Sequence, residues 1–99
     1  MTFKNIVIPE SGEKISVVDG KLSIPDNPII GFVEGDGIGP DISRAMIRVL
    51  DSAVDKAYSG TKKIHWCELY LGEKAGQIYS GNYFPEETLK AIKELIITI

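Results

Sequence analysis

The sequence predicts an α/β fold, an open and mostly parallel sheet with crossover helices, led by a β-hairpin. Three observations predict it. An apolar run at 29–33 passes through a glycine-rich turn into a long amphipathic pattern. Strand-like and helix-like segments then alternate, as parallel strands with crossover connections require. Ahead of them, two short β-rich stretches flank Asp19-Gly20, a hairpin turn signal.

Taken in order, Ile6-Val7-Ile8 within 5–9 is a short strand candidate stopped by Pro9. Residues 15–18 and 22–24 are the two arms of the hairpin, and Pro25-Asp26-Asn27-Pro28 breaks the chain. Residues 1–28 thus form a leading arm, and 29–99 the body. The run 29–33 is apolar almost throughout, as expected for a strand covered on both faces. A helix is predicted over 40–58, where Ile42, Ala45, Met46, Val49, Leu50, Ala53, Val54 and Ala57 recur at helical spacing. Pro40 suits its first turn, Asp41 its positive end, and Ser59-Gly60 its stop. Arg44 and Arg48 fall on its solvent side. The next strand spans 64–71, with Ile64, Trp66, Glu68 and Tyr70 on one face and His65, Cys67, Leu69 and Leu71 on the other. A short helix is expected at 73–79. A last helix opens at Pro85, its first turn acidic at Glu86-Glu87 and its buried side at Leu89, Ile92 and Leu95. Residues 95–99 read as a final strand. An apolar strand with no polar tail gives the expectation that the sheet continues past Ile99, the chain being the opening quarter of a longer protein. A small complete domain with an edge strand is the alternative.

Composition narrows the function classes. Of 99 residues, 43% are apolar and 25% charged, an ordinary globular balance. The net charge is -3 and the basic residues are scattered, so no basic stripe is offered to a nucleic acid. No apolar run approaches a membrane span, and Met1-Thr2-Phe3-Lys4 begins no signal peptide. Cys67 is the single cysteine and cannot form an internal disulfide. A cytoplasmic protein is expected.

One motif carries chemical content. Glu34-Gly35-Asp36-Gly37-Ile38-Gly39-Pro40 lies between a strand and a helix, where open α/β folds bind ligands. Helix-terminal N–H groups can face an anion there. The glycines occupy first, third and fifth places with proline sixth, so the dinucleotide fingerprint fails. From spacing, a ligand-lining loop and a structural turn are equally good readings. Glu34 and Asp36 are metal or acid/base candidates, weighed against solvated loop acids or helix caps, which two carboxylates alone favour. His65 is expected to be a partly buried, hydrogen-bonded histidine, and Cys67 a buried apolar residue. Tyr70, Tyr79, Tyr83 and Phe84 are expected to pack, and Glu86-Glu87 to start a helix without binding metal. No nucleophile–base pair assembles.

The hexad Gly35-Asp36-Gly37-Ile38-Gly39-Pro40, preceded by Phe32-Val33-Glu34, resembles the opening of the isocitrate and isopropylmalate dehydrogenase family of β-decarboxylating dehydrogenases. The likeness extends to the hairpin, to Asn27-Pro28-Ile29-Ile30, and to Asp51-Ser52-Ala53-Val54-Asp55-Lys56-Ala57-Tyr58. It continues through Lys63-Ile64-His65-Trp66, Gly72-Glu73-Lys74-Ala75 and Pro85-Glu86-Glu87-Thr88-Leu89. Within the family it points to the bacterial NADP-dependent isocitrate dehydrogenases, because the isopropylmalate branch lacks so long a leading segment. The resemblance implies an isopropylmalate-dehydrogenase-like, non-Rossmann fold, in agreement with the failed fingerprint, with 29–99 the first part of its large domain. It further implies a cytoplasmic homodimer of the citrate cycle that converts isocitrate to 2-oxoglutarate and carbon dioxide. NADP and Mg2+ or Mn2+ would be its cofactors. Ile38 matches the position near the cofactor's adenine, and Gly35, Gly37 and Gly39 the turn that brings the loop close. The cofactor-binding candidates are therefore Ile38, Gly37 and Gly39. The family's catalytic, substrate-binding and metal-binding residues all match positions later than Ile99, so none is expected here. A paralogue acting on isopropylmalate or homoisocitrate, and a non-catalytic α/β module, are the competing readings.

Overall fold

The computed structural model describes residues 3–99. Met1 and Thr2, part of the expected leading arm and of the start read against a signal peptide, lie outside the described residues. The elements are β1 Glu13–Lys14, β2 Ser16–Val18, β3 Lys21–Ser23, β4 Pro28–Val33, α1 Gly39–Tyr58, β5 His65–Leu69, α2 Glu73–Ile78 and α3 Glu86–Leu95. β4 pairs in parallel with β5, Ile29 opposite His65 through Val33 opposite Leu69. β1 pairs in parallel with the start of β4 on its other edge. Residues 97–99 lie farther along that same edge: Gly31 N–H donates to Ile97 O at 3.0 Å, and Val33 N–H to Ile99 O at 2.9 Å. β2 and β3 form the antiparallel hairpin around Asp19 and Gly20, both at positive φ as a tight two-residue turn demands.

Alternation along β4 and β5 divides the molecule into layers. Ile29, Cys67 and Leu69 face α3 and join Ile6, Ala91 and Leu95 in one buried cluster. Phe32 and Trp66 face α1, their rings edge to face at 6.1 Å, and Trp66 Nε1–H donates to Asp51 Oδ1 at 2.9 Å. Helices thus cover both faces of a parallel pair, the arrangement expected from the apolar run of β4. At Gly31 a Cβ would meet Thr98 Oγ1 at 2.8 Å and Leu69 Cδ1 at 3.0 Å, so these side chains close over the position beside which 97–99 passes.

Several expectations need correction. Residues 5–9 are not a strand. Their burial alternates, with Ile6 buried and Val7 exposed, but their backbone meets no ladder. The N–H groups of Lys4 and Asn5 go to the Glu87 carboxylate instead. The strand expected at 15–18 is interrupted at Ile15, which turns inward and is buried, between β1 and β2. The apolar stripe of α1 is covered on one side only, with Ile42 58% and Val49 66% exposed. Met46, Leu50 and Val54 of that stripe do face inward, joined by Ser43 and Ile47. The apolar arc of α1 is wider than two strands can cover. On α3, Leu89 is exposed and Thr88 takes the buried place, its hydroxyl donating to Tyr70 O at 2.8 Å. Leu95 ends α3 and does not open a strand; Ile96, at φ 70°, turns the chain before 97–99 joins β4. Phe84 does not pack as expected and is 56% exposed.

Candidate functional site

The glycine-rich loop leaves the carboxyl end of β4 and enters α1. Gly35 and Gly37 adopt φ of 80° and 60°, the left-handed region that side chains other than glycine's rarely tolerate. Gly39 N–H closes the turn onto Asp36 O at 3.0 Å. A Cβ on Gly39 would collide with the Glu34 carbonyl, so the third glycine is required by close approach. Ser43 Oγ–H, one turn into α1, also donates to Glu34 O at 3.3 Å. Ile38 is the residue before α1, and its side chain stands 73% exposed at the loop's tip. The space beside Gly37 is open, with no atom within 4 Å of where its Cβ would be.

Two acids of the loop are held by α2. Asp36 Oδ1 accepts the Glu73 N–H at 3.0 Å, so it caps the first turn of that helix from across the structure. Gly72, at φ 76°, leaves the room: a Cβ there would lie 2.6 Å from Asp36 Oδ1. Glu34 is ion-paired with Lys74, whose ammonium also binds Glu68. Glu34 and Glu68 stand at the carboxyl ends of β4 and β5, and Lys74 bridges them. Lys74 Nζ lies 5.6 Å from the Tyr70 ring centre as well. The hydrogen bonds that Lys74 donates to Glu34 and then to Glu68 push its pKa up to about 12. The two carboxylates separate. Glu34 is held below the usual range by the Lys74 hydrogen bond, whereas desolvation raises Glu68 against the pull of the same lysine.

The other candidates resolve as structural groups. His65 is half-buried, its Nδ1 3.2 Å from Ser11 Oγ. Cys67 is buried, and burial followed by the Glu68 charge pushes its thiol up to about 11, which leaves no thiolate nucleophile at neutral pH. Tyr70 and Tyr79 pack at 6.2 Å between ring centres. Tyr83, although 61% exposed, lays its ring edge against Gly76. Glu86 is an exposed first-turn acid of α3, while Glu87 ties Tyr79 and the amino-terminal segment together. No group of three His, Cys, Asp or Glu able to hold a metal ion occurs among the described residues. Glu34 is paired with Lys74, and Asp36 accepts the Glu73 N–H. No helix among the described residues is long and apolar enough to cross a membrane.

Sequence reasoning missed Lys74 and Glu68. The available signal was positional: Glu34 and Glu68 end two neighbouring parallel strands, where a cation from the following turn is needed to offset their repulsion.

The comparisons with known proteins agree with this architecture. The family described as isocitrate/isopropylmalate dehydrogenase matches residues 29–99. Over its whole length the chain is 51% identical to isocitrate dehydrogenase (NADP) 1 of Psychrobacter sp. strain 13A and 52% identical to isocitrate dehydrogenase (NADP) of Pseudomonas aeruginosa. It is 50% identical to the isocitrate dehydrogenase (NADP) of Archaeoglobus fulgidus. The chain spans about a quarter of the length of these curated relatives, 24%, 24% and 23% respectively. With a non-Rossmann glycine loop between a parallel strand and a long helix, and with that match over the body of the sequence, the chain belongs to the isocitrate/isopropylmalate dehydrogenase family.

Proposed function

We propose that the whole protein oxidises isocitrate with NADP and decarboxylates it to 2-oxoglutarate and carbon dioxide. One observation carries this reading. The likeness to NADP-dependent isocitrate dehydrogenases covers all of the chain, including the leading 28 residues that precede the family match. In this reading 1–28 is a leading arm and 29–99 the first part of the large domain of a cytoplasmic homodimer. NADP and Mg2+ or Mn2+ are its cofactors. The metal supplies charge stabilisation at the substrate oxygens when bound.

The loop fits one edge of a cofactor pocket. The open space at Gly37 and the tight closure at Gly39 let the backbone approach a flat group, and exposed Ile38 offers it an apolar surface. Ile38, Gly37 and Gly39 are accordingly the cofactor-binding residues of this chain. The whole protein, assayed with isocitrate, isopropylmalate and homoisocitrate and with NADP or NAD, should reduce NADP with isocitrate in a reaction that needs the divalent metal. Preference for either other acid would instead establish the paralogous reading, and no turnover with any of the three would support a non-catalytic module.

A further inference from the structure

The first turn of α2 grips the glycine-rich loop at two points. Lys74 binds Glu34, where the loop begins, and Glu73 N–H binds Asp36, at its centre, at 3.0 Å. Lys74 is also anchored on Glu68 at the end of β5, so the loop is fixed to the neighbouring strand as well as to its own. Gly35, between these points, and Gly37, just past the second, have no Cβ to stiffen the backbone, and nothing packs within 4 Å of the Gly37 position. The exposed Ile38 therefore owes its location to its backbone, held on one side by these anchors and on the other by the first turn of α1, where its carbonyl accepts the Ile42 N–H at 3.2 Å, and not to packing of its side chain.

We infer that Lys74 is a positioning residue that sets the cofactor-facing loop, acting through Glu34 while its second bond to Glu68 holds it in register. This rests on the reading that Ile38 and its glycines line the NADP pocket. An ammonium shared by two carboxylates suits the task, because either bond alone leaves a long flexible side chain free to swing. Displacing a binding loop by about 1 Å has large kinetic consequences.

The test uses the whole protein and compares Ile38→Asp, Lys74→Met and Lys74→Arg. Lys74→Met should raise KM for NADP by about tenfold, lower kcat by a smaller factor and move KM for isocitrate less. Lys74→Arg, which keeps both ion pairs, should recover most of the loss. Ile38→Asp should raise KM for NADP directly. If Ile38→Asp raises it and Lys74→Met does not, the positioning role falls while the pocket reading stands. If Ile38→Asp leaves it unchanged, the pocket reading falls and the inference with it. Equal changes in both KM values would also overturn the inference, since they mark a general loss of structure. Should Lys74→Met fail to fold, Glu68→Gln carries the same test. It removes one anchor, and an unchanged KM for NADP would overturn the proposal.

Discussion

Cys67 shows how a single side chain couples the core to pH. Its thiol is 1% exposed and keeps its proton to about 11 in the fold, against 9.0 for an ordinary thiol. Above pH 9 the unfolded chain releases this proton first, so the unfolded state binds fewer protons and stability falls as pH rises. The stabilisation is fully present below 9 and is lost as pH climbs through about 11. Lys74 acts in the same direction at higher pH, because its shift from 10.5 to about 12 protects a charge that the unfolded chain gives up earlier. Thermal midpoints of the whole protein should therefore drop between about pH 9 and pH 11, and the drop should be smaller in Cys67→Ala. An identical drop in both proteins would remove Cys67 as its source.

Among the elements, α3 does more than its sequence advertises. Glu86-Glu87 reads as a favourable acidic start for a helix, and Glu86 is no more than that. Glu87 instead accepts the N–H groups of Lys4 and Asn5 and the Tyr79 hydroxyl, which joins α3, α2 and the amino-terminal segment. Desolvation works to raise its pKa, but these donors outweigh it and hold the carboxyl below 4.5. A depressed carboxylate stabilises above its unfolded pKa and loses that contribution as pH falls through the folded value. Glu87→Gln should cost about 1–2 kcal/mol and speed hydrogen exchange at the Lys4 and Asn5 amides, with Ile6 loosening from the core. Unchanged exchange at those amides would show that the segment is held by the burial of Ile6 alone. None of these bonds was legible beforehand, since a helix-start pattern says nothing about which distant donors reach it.

At the scale of the whole molecule, the sheet is narrow and its helices are wide. β4 and β5 cover one arc of α1 and leave Ile42 and Val49 in solvent. An apolar face of this kind on a surface is unusual enough to have a measurable signature. In the 99-residue chain, Ile42→Lys with Val49→Lys should reduce binding of an apolar dye while shifting stability by no more than about 0.5 kcal/mol each. A loss beyond about 2 kcal/mol would mean that both side chains are buried.

Much of the architecture was readable from neighbouring residues. The hairpin turn follows from Asp19-Gly20, the bounds of α1 from Pro40 and Ser59-Gly60, and the faces of β5 from strict alternation. The glycine-rich loop was legible for the same reason: positive φ and close approach demand glycine locally, whatever the rest of the fold does. Tertiary structure alone decided what those elements hold. It placed Lys74 between Glu34 and Glu68, partners 40 and 6 residues away, and turned Asp36 into the cap of α2. It also paired polar Glu13–Lys14 with β4 and chose which arc of α1 would be buried. Periodicity and turn chemistry are properties of adjacent residues. An ion pair across a sheet edge depends on where two strands end in space, and no local pattern specifies that.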